Sequence, residues 1–333
     1  MKTFIATTGK GFGDSSLARA KLGSDGKWSV EFPLKGQDAR CLAADPLNPG
    51  FLYAGTQGNG IFRSEDGGKT WQSAGLEGQI VKALAVSPHE SGKIFAGTKP
   101  AYLFVSPDHG QSWQELDSFR HIRGRRLWFS PAEKPGQAYV MAITFSPTEP
   151  QTVLVGIEFG AVIRSIDGGE TWSNHISESL RDCHDLTFNA RDGDWVYEAG
   201  GTGGGASFSQ DGGKTWQKKK SGLAKNYGVA CAADPDRPEV WYVSVAPGPG
   251  KAYGQQAEAY LYRSNGGASW KPIGWDPHPM GQMPIALVTD PNHSGHLYAG
   301  LTNGDVLFSE DFGEEWMTLP FNLGGIYRSL IMT

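Results

Sequence analysis

Residues 64–71 read SEDGGKTW, 106–113 SPDHGQSW, 165–172 SIDGGETW and 209–216 SQDGGKTW, four copies of one frame, S-x-D-x-G-x-[ST]-W. Two degenerate copies follow, SNGGASW ending at Trp270 and SEDFGEEW ending at Trp316, and a shortened SDGKW ends at Trp28. Seven of the 11 tryptophans close a copy, so one repeat organises the chain. Successive closing tryptophans are 43, 42, 59, 44, 54 and 46 residues apart, and passing from Trp316 through the C-terminus back to Trp28 takes 45. A wrap-around interval equal to the internal ones predicts a ring, in which one unit is begun at one end of the chain and completed by the other.

Each unit reads as four short strands. In the first full unit they are ARCLAAD, FLYAGT, GIFRS and TWQSA, separated by DPLNPG, QGN and EDGGK. Alternating apolar residues bounded by Gly, Pro, Asn and Asp are strand and hairpin signals. Four-stranded units of about 45 residues arranged in a ring predict an all-β, seven-bladed β-propeller with antiparallel blades, one domain over residues 1–333. The last segment, IYRSLIMT, aligns with ARCLAAD, VKALAVS, VMAITFS, CHDLTFN, GVACAAD and PIALVTD. It is expected to supply the inner strand of the blade whose other strands lie in residues 2–33, closing the ring by pairing the two ends and covering an exposed sheet edge.

Composition agrees. The 46 glycines in 333 residues are too many for a helical protein, and 39% hydrophobic residues suffice for a large core. No stretch of about 18 apolar residues occurs, and MKTFIATTGKG breaks at Thr7, Thr8 and Gly9 before a leader could form, so the expectation is a soluble chain away from membranes. Net charge is −5, which disfavours a nucleic-acid partner. Cys41, Cys183 and Cys231 are odd in number and far apart, as suits reduced core thiols in a cytoplasmic monomer.

The repeated frame resembles the Asp-box, or BNR repeat, of the sialidase superfamily. That superfamily includes sialidases, xyloglucanase-type endoglucanases, the sortilin ectodomain and photosystem II assembly factors. The resemblance spans the whole chain; Asp66, Asp108, Asp167, Asp211 and Asp311 keep the motif's aspartate, and Asp25 sits in the truncated copy. It implies that the boxes lie in turns joining third and fourth strands at the outer lower rim, while ligands bind at the opposite mouth of the channel. The boxes then have a structural job: Asp accepts backbone hydrogen bonds, Gly takes positive φ, and Trp packs between blades.

Aligned inner strands place Arg40, Lys82, Met141, His184, Val229, Ile285 and Arg328 at one equivalent position near the channel entrance. Two residues earlier stand Asp38, Ile80, Tyr139, Asp182, Tyr227, Met283 and Ile326. The two long repeat intervals locate insertions on the same face, residues 117–137 and 246–259, where loops carry binding groups. The first holds Arg120, His121, Arg123, Arg125, Arg126 and Trp128, and Lys218, Lys219 and Lys220 occupy another loop there. Guanidinium and ammonium groups around one opening suit an anionic ligand. Arg40, Lys82, Arg123, Tyr139 and Arg328 are the candidate ligand-binding residues.

For chemistry, Glu158, Asp182, His184 and Tyr227 are the candidate catalytic residues, either as carboxylates flanking a glycosidic bond, for which Asp185 and Glu198 are further candidates by blade position, or as a base removing a proton beside a uronate carboxylate. A sialidase-like arrangement would draw further arginines from Arg123, Arg125, Arg126 and Arg328, and a nucleophile from Tyr139, Tyr227 or Tyr327 near Glu158 or Glu198. His121, His184 and His278 with Glu158 offer a metal alternative without local ligand spacing, and no cofactor is expected. His293 and His296 fall in a lower-face turn and are expected to face solvent. The expected function is binding of an anionic or polyhydroxylated ligand at the channel mouth, as a glycoside hydrolase or lyase on acidic sugars. The alternative is a non-catalytic assembly factor docking an acidic protein on its basic face.

Overall fold

The computed structural model describes residues 2–9, 16–132, 134–201, 204–218, 221–266, 269–274 and 278–333. Its strands form seven antiparallel sheets set in sequence order around an axis. Six are four-stranded; the fourth sheet has three, Val140–Phe145, Val153–Ile157 and Ala161–Ser165. There the residue after Trp172 meets the sheet through its hydroxyl: the Arg164 N–H donates to Ser173 Oγ at 2.9 Å, while the Ser173 N–H donates to the Arg164 carbonyl at 2.8 Å. Among the described residues no helix is long and apolar enough to cross a membrane.

The ring closes through its ends. Ile326–Met332 pairs antiparallel with Thr3–Thr8, with Phe4 opposite Met332 and Ile5 opposite Ile331. Thr3 and Thr333 exchange two backbone hydrogen bonds of 2.9 Å each. Residues 16–22 and 28–31 complete that sheet, so blade 1 is built from both termini as the repeat arithmetic requires.

Apolar residues of neighbouring blades fill the space between sheets. Second strands such as Leu52–Thr56 and Val153–Ile157 are wholly buried. This is how a sheet covered on both faces reads in sequence. At the lower rim the repeated turns share one hydrogen-bond pattern. Ser64 Oγ donates to Asp66 Oδ1 at 2.8 Å and accepts the Gly68 N–H at 2.8 Å, while Asp66 accepts the Thr70 N–H at 3.0 Å and hydroxyl at 2.7 Å. The pattern recurs around Asp108, Asp167 and Asp211, and around Asp311 without the hydroxyl bond, because Glu315 takes the threonine's place there. The glycine matters twice. Gly68 has φ 82°, and a Cβ there would come 2.6 Å from Ile5 Cδ1 of the preceding blade. Only glycine accepts both the left-handed backbone and the close approach. Two indoles tie blades together, Trp113 donating to the Ala74 carbonyl and Trp172 to Ser118 Oγ.

The inner strands carry a feature that the repeat does not announce. In six of them the register shifts by one residue at the equivalent position: Arg40, Lys82, Met141, His184, Val229 and Ile285 each fall out of the ladder. In blade 1 the register jumps from Ile326 opposite Thr8 to Leu330 opposite Ala6, and Arg328 lies in the gap. A bulge breaks the period-two alternation and re-aims side chains. Hence His184, Asp185 and Leu186, consecutive in sequence, all line the channel.

Candidate active site in the central channel

The channel holds a cavity of about 790 Å³. All seven bulge-position residues line it, so the sequence alignment located its wall. Eight of the nine candidate site residues also line it: Arg40, Lys82, Tyr139, Glu158, Asp182, His184, Tyr227 and Arg328. Both insertions reach it, residues 117–137 through Pro131 and Ala132 and residues 246–259 through Pro249 and Tyr253. Arg123 is exposed on the first insertion and is not part of the lining.

The walls divide by charge. On the side of blades 1 to 3 stand Arg328, Arg40 and Lys82. Arg40 is buried, pairs with Asp38 at 2.6 Å, and lies with its guanidinium carbon 4.8 Å from the centroid of the Tyr327 ring. Lys82 lies 5.1 Å from the centroid of the Tyr139 ring, and Lys99, missed by the sequence reading, sits 5.7 Å from the same centroid. Lys99 ends the second strand of blade 3 rather than its inner strand, so alignment of inner strands alone passed over it. Arg328 reaches across to blade 4, donating to the Met141 carbonyl. Aromatic faces and the Asp38 carboxylate are what let cations persist at such burial.

On the side of blades 4 to 6 stand Glu158, Asp182, His184, Asp185 and Tyr227. His184 Nδ1 is 2.7 Å from the Gly228 carbonyl, and Nε2 lies 3.5 Å from Asp182 Oδ1 and 3.9 Å from Glu158 Oε2. Burial opposes protonation of His184, but Asp182, Glu158 and the Gly228 carbonyl outweigh it and raise the imidazole pKa above its ordinary value. Asp185 is raised by burial although it accepts the Cys231 and Leu186 N–H groups at 2.9 and 3.0 Å. Burial also raises Tyr227, reinforced by Tyr253, Asp182 and Glu158. Its phenol is therefore a hydrogen-bond donor at neutral pH, and its ring meets His184 edge-on at 4.9 Å.

Several other sequence candidates lie elsewhere. His121 and His278 are exposed and do not line the cavity, so they do not converge with His184. Arg120 pairs with Glu115, and Arg125 is enclosed by Tyr102, Phe119 and Trp128 with its carbon 5.3–5.6 Å from their centroids. Arg126 is exposed on the same insertion. Glu198 is buried inside blade 5, where Oε2 accepts the Leu180 N–H at 2.8 Å and burial pushes its pKa up to about 8. Lys218 pairs with Glu178 at 3.6 Å. Lys219 and Lys220 lie outside the described residues. His293 is exposed as expected, whereas His296 is half-buried under it, the rings stacked at 4.8 Å. Burial pushes the Cys41 thiol up to about 12 and raises Cys183 and Cys231 well above the ordinary thiol value, which disfavours the thiolate at each.

A closed seven-sheet ring with a lined axial cavity defines the chain as a seven-bladed β-propeller with an axial site. It belongs to the DUF6242 beta propeller domain family, whose model matches residues 5–244. None of the curated proteins matches it in sequence. Among solved structures it is similar to the GH74 xyloglucanase from Xanthomonas campestris, with 21% identity and a TM-score of 0.69 over 93% of this chain and 50% of that one. It is also similar to YCF48 bound to a D1 peptide, with 15% identity and a TM-score of 0.58 over 85% and 81% of the two chains. An ancestral GH74 enzyme gives 18% identity and a TM-score of 0.63, over 89% of this chain and 38% of that enzyme. This chain thus spans half the length of the xyloglucanase or less in the larger enzymes. At these identities the likeness is one of fold.

Proposed function

We propose that the axial cavity binds an anionic, polyhydroxylated small molecule of the acidic-sugar class, and that the carboxylate–histidine wall handles protons on it. The observation that carries this reading is the division of one buried cavity into a cationic arc, Arg40, Lys82 and Arg328, and an opposing wall of Glu158, Asp182 and His184. A cationic arc with aromatic faces suits a carboxylate or sulfate beside a sugar ring, since the anion is held by charge and the ring by Tyr139 and Tyr327. On the opposing wall, His184 with its raised pKa is a proton donor, the two carboxylates accept protons, and the Tyr227 hydroxyl donates a hydrogen bond where negative charge develops. Hydrolysis and β-elimination both fit these roles. The lower-rim turns are read as Asp-boxes with no part in the chemistry, and the protein as a cytoplasmic monomer. The GH74 likeness is compatible with carbohydrate chemistry, but fold alone does not fix function.

The test is a thermal-shift and turnover screen with uronic, sialic and sulfated sugars against their neutral counterparts. The expected result is stabilisation by anionic sugars alone, weakened in Lys82→Met. Equal response to charged and neutral sugars, or an unchanged response in that variant, would remove the reading. A second reading has its own observation. Arg123, Arg126, Leu127 and Phe129 form an exposed basic and apolar rim on the first insertion. On that reading an acidic protein segment docks at the rim, and Arg123→Glu abolishes binding while Lys82→Met does not.

A further inference from the structure

We infer that Glu158, Asp182 and His184 form a binding site for a divalent transition-metal ion of the Zn²⁺ kind. The three side chains are 4–7% exposed, so each is more than nine-tenths buried. A ring nitrogen and one oxygen from each carboxylate lie within 4.8 Å of one another. They come from separate parts of the ring: Glu158 follows the second strand of blade 4, while Asp182 and His184 open the inner strand of blade 5.

The histidine's orientation is the decisive feature. Its Nδ1 faces the Gly228 carbonyl at 2.7 Å, and a carbonyl only accepts, so Nδ1 carries the hydrogen. In the neutral ring the Nε2 lone pair is thereby aimed at Asp182 Oδ1 and Glu158 Oε2, at 3.5 and 3.9 Å. Three electron-pair donors then face a common point, and a cation placed there, the imidazolium proton or a metal ion, is attracted by both carboxylates. The spacings are long for hydrogen bonds. The 3.5 Å spacing falls within the roughly 3.3–3.6 Å between donors of a tetrahedral ion whose bonds are about 2.0–2.2 Å, and the 3.9 Å spacing exceeds it by a few tenths of an ångström. A backbone carbonyl on the far nitrogen is also how metal-binding imidazoles are held.

The wall around the cluster is shaped to it. A Cβ on Gly201 would lie 2.0 Å from Asp182 Oδ2 and 2.7 Å from His184 Cε1, so only glycine lets the backbone close over the pair. The other three-donor cluster, Asp290 with His293 and His296, contrasts with it. There Asp290 Oδ2 is 3.0 Å from His293 Nδ1 and 3.6 Å from the Lys2 ammonium, and His293 is exposed. An ion at Glu158, Asp182 and His184 leaves coordination positions open towards the cavity, facing the cationic arc, where a ligand oxygen would complete them. An ion there replaces the proton on His184 Nε2 and so takes over the proton-handling role proposed above for that wall, while its binding does not depend on whether the cavity takes acidic sugars.

The test is titration of chelator-stripped, full-length protein with ZnCl₂ alone, followed by calorimetry and melting temperature. One ion per chain and a rise of several degrees are expected. Asp182→Asn and His184→Gln should each weaken binding by about 10- to 100-fold, and His293→Ala should not. Absence of saturable binding in the wild type overturns the assignment, as does binding lost in His293→Ala and kept in the other two. If those two variants do not fold, Co²⁺ added to the wild type reports the location. Paramagnetic shifts at Tyr227 and Gly228 support the site, and shifts confined to the 290–296 turn overturn it. Lys82→Met separates the two proposals, because it should lose anion binding and keep the ion.

Discussion

The lower rim and the channel mouth are both built from equivalent positions of one repeat, and they behave in opposite ways. At the rim, five turns repeat the same Ser, Asp and Gly with the same hydrogen bonds. At the mouth, seven equivalent positions hold Arg40, Lys82, Met141, His184, Val229, Ile285 and Arg328, no common chemistry at all. A position that carries the same residue in blade after blade solves a problem every blade has, namely closing a hairpin and seating it against its neighbour. A position whose residue varies around the ring while sharing one geometry makes an asymmetric surface out of a symmetric scaffold. The proposed site lies where the repeat breaks its own rule.

That contrast can be broken most severely at the rim. Gly213→Val puts a Cβ 2.4 Å from Leu154 Cδ2 at a residue with φ 82°, and should cost about 3 kcal/mol or more from overpacking and backbone strain combined. Denaturant unfolding would show it, while ligand affinity per folded molecule stays unchanged. Next in size is the mouth. Lys82→Met removes one buried cation of the arc and should weaken anionic ligands by about 10- to 100-fold, on the scale of about 1.5–3 kcal/mol for a hydrogen bond to a charged group. Titration calorimetry at fixed ionic strength checks it. If rim and mouth variants both changed affinity, the division of labour would be wrong.

Smaller effects sharpen the rim. Asp167→Ala removes the acceptor of the Thr171 N–H and hydroxyl and should destabilise by about 1 kcal/mol, like the loss of a helix cap. Smallest is the pH response of one turn. Slight burial works against the Asp66 carboxylate, but the hydrogen bonds from Thr70, Ser64 and Lys69 outweigh it and hold its pKa at about 2. A depressed pKa adds stability above the unfolded-state value near 4, and that stability is lost as pH falls towards about 2. Asp66→Asn should therefore lower the melting temperature at pH 7 to 8, where that stability is fully present, and flatten its fall across the acid window.

Much of this was legible because it is periodic. The Trp intervals counted the blades, and the match of IYRSLIMT to the other inner strands found the closing pair. The same alignment found the wall of the cavity, since equivalent positions in a ring converge on its axis. It did not find Lys99, which faces Tyr139 from a second strand. It escaped because a second strand's contribution leaves no trace in an alignment of inner strands. Arg123 was misjudged for a related reason: an insertion can be assigned to a face from its length, but its individual side chains cannot, and here Pro131 and Ala132 reach the cavity instead.

The amino-acid order alone determined the ring, its seven units, its closure and the residues at its axis, because each follows from spacing along the chain and local turn chemistry. Only the folded molecule decided that the cations gather on one arc and that His184 turns its Nε2 towards Asp182 and Glu158. It also decided that Arg328 spans to Met141. Those are relations across a space of several ångströms between residues far apart in sequence, set by bulge geometry and blade order, and no local pattern encodes them.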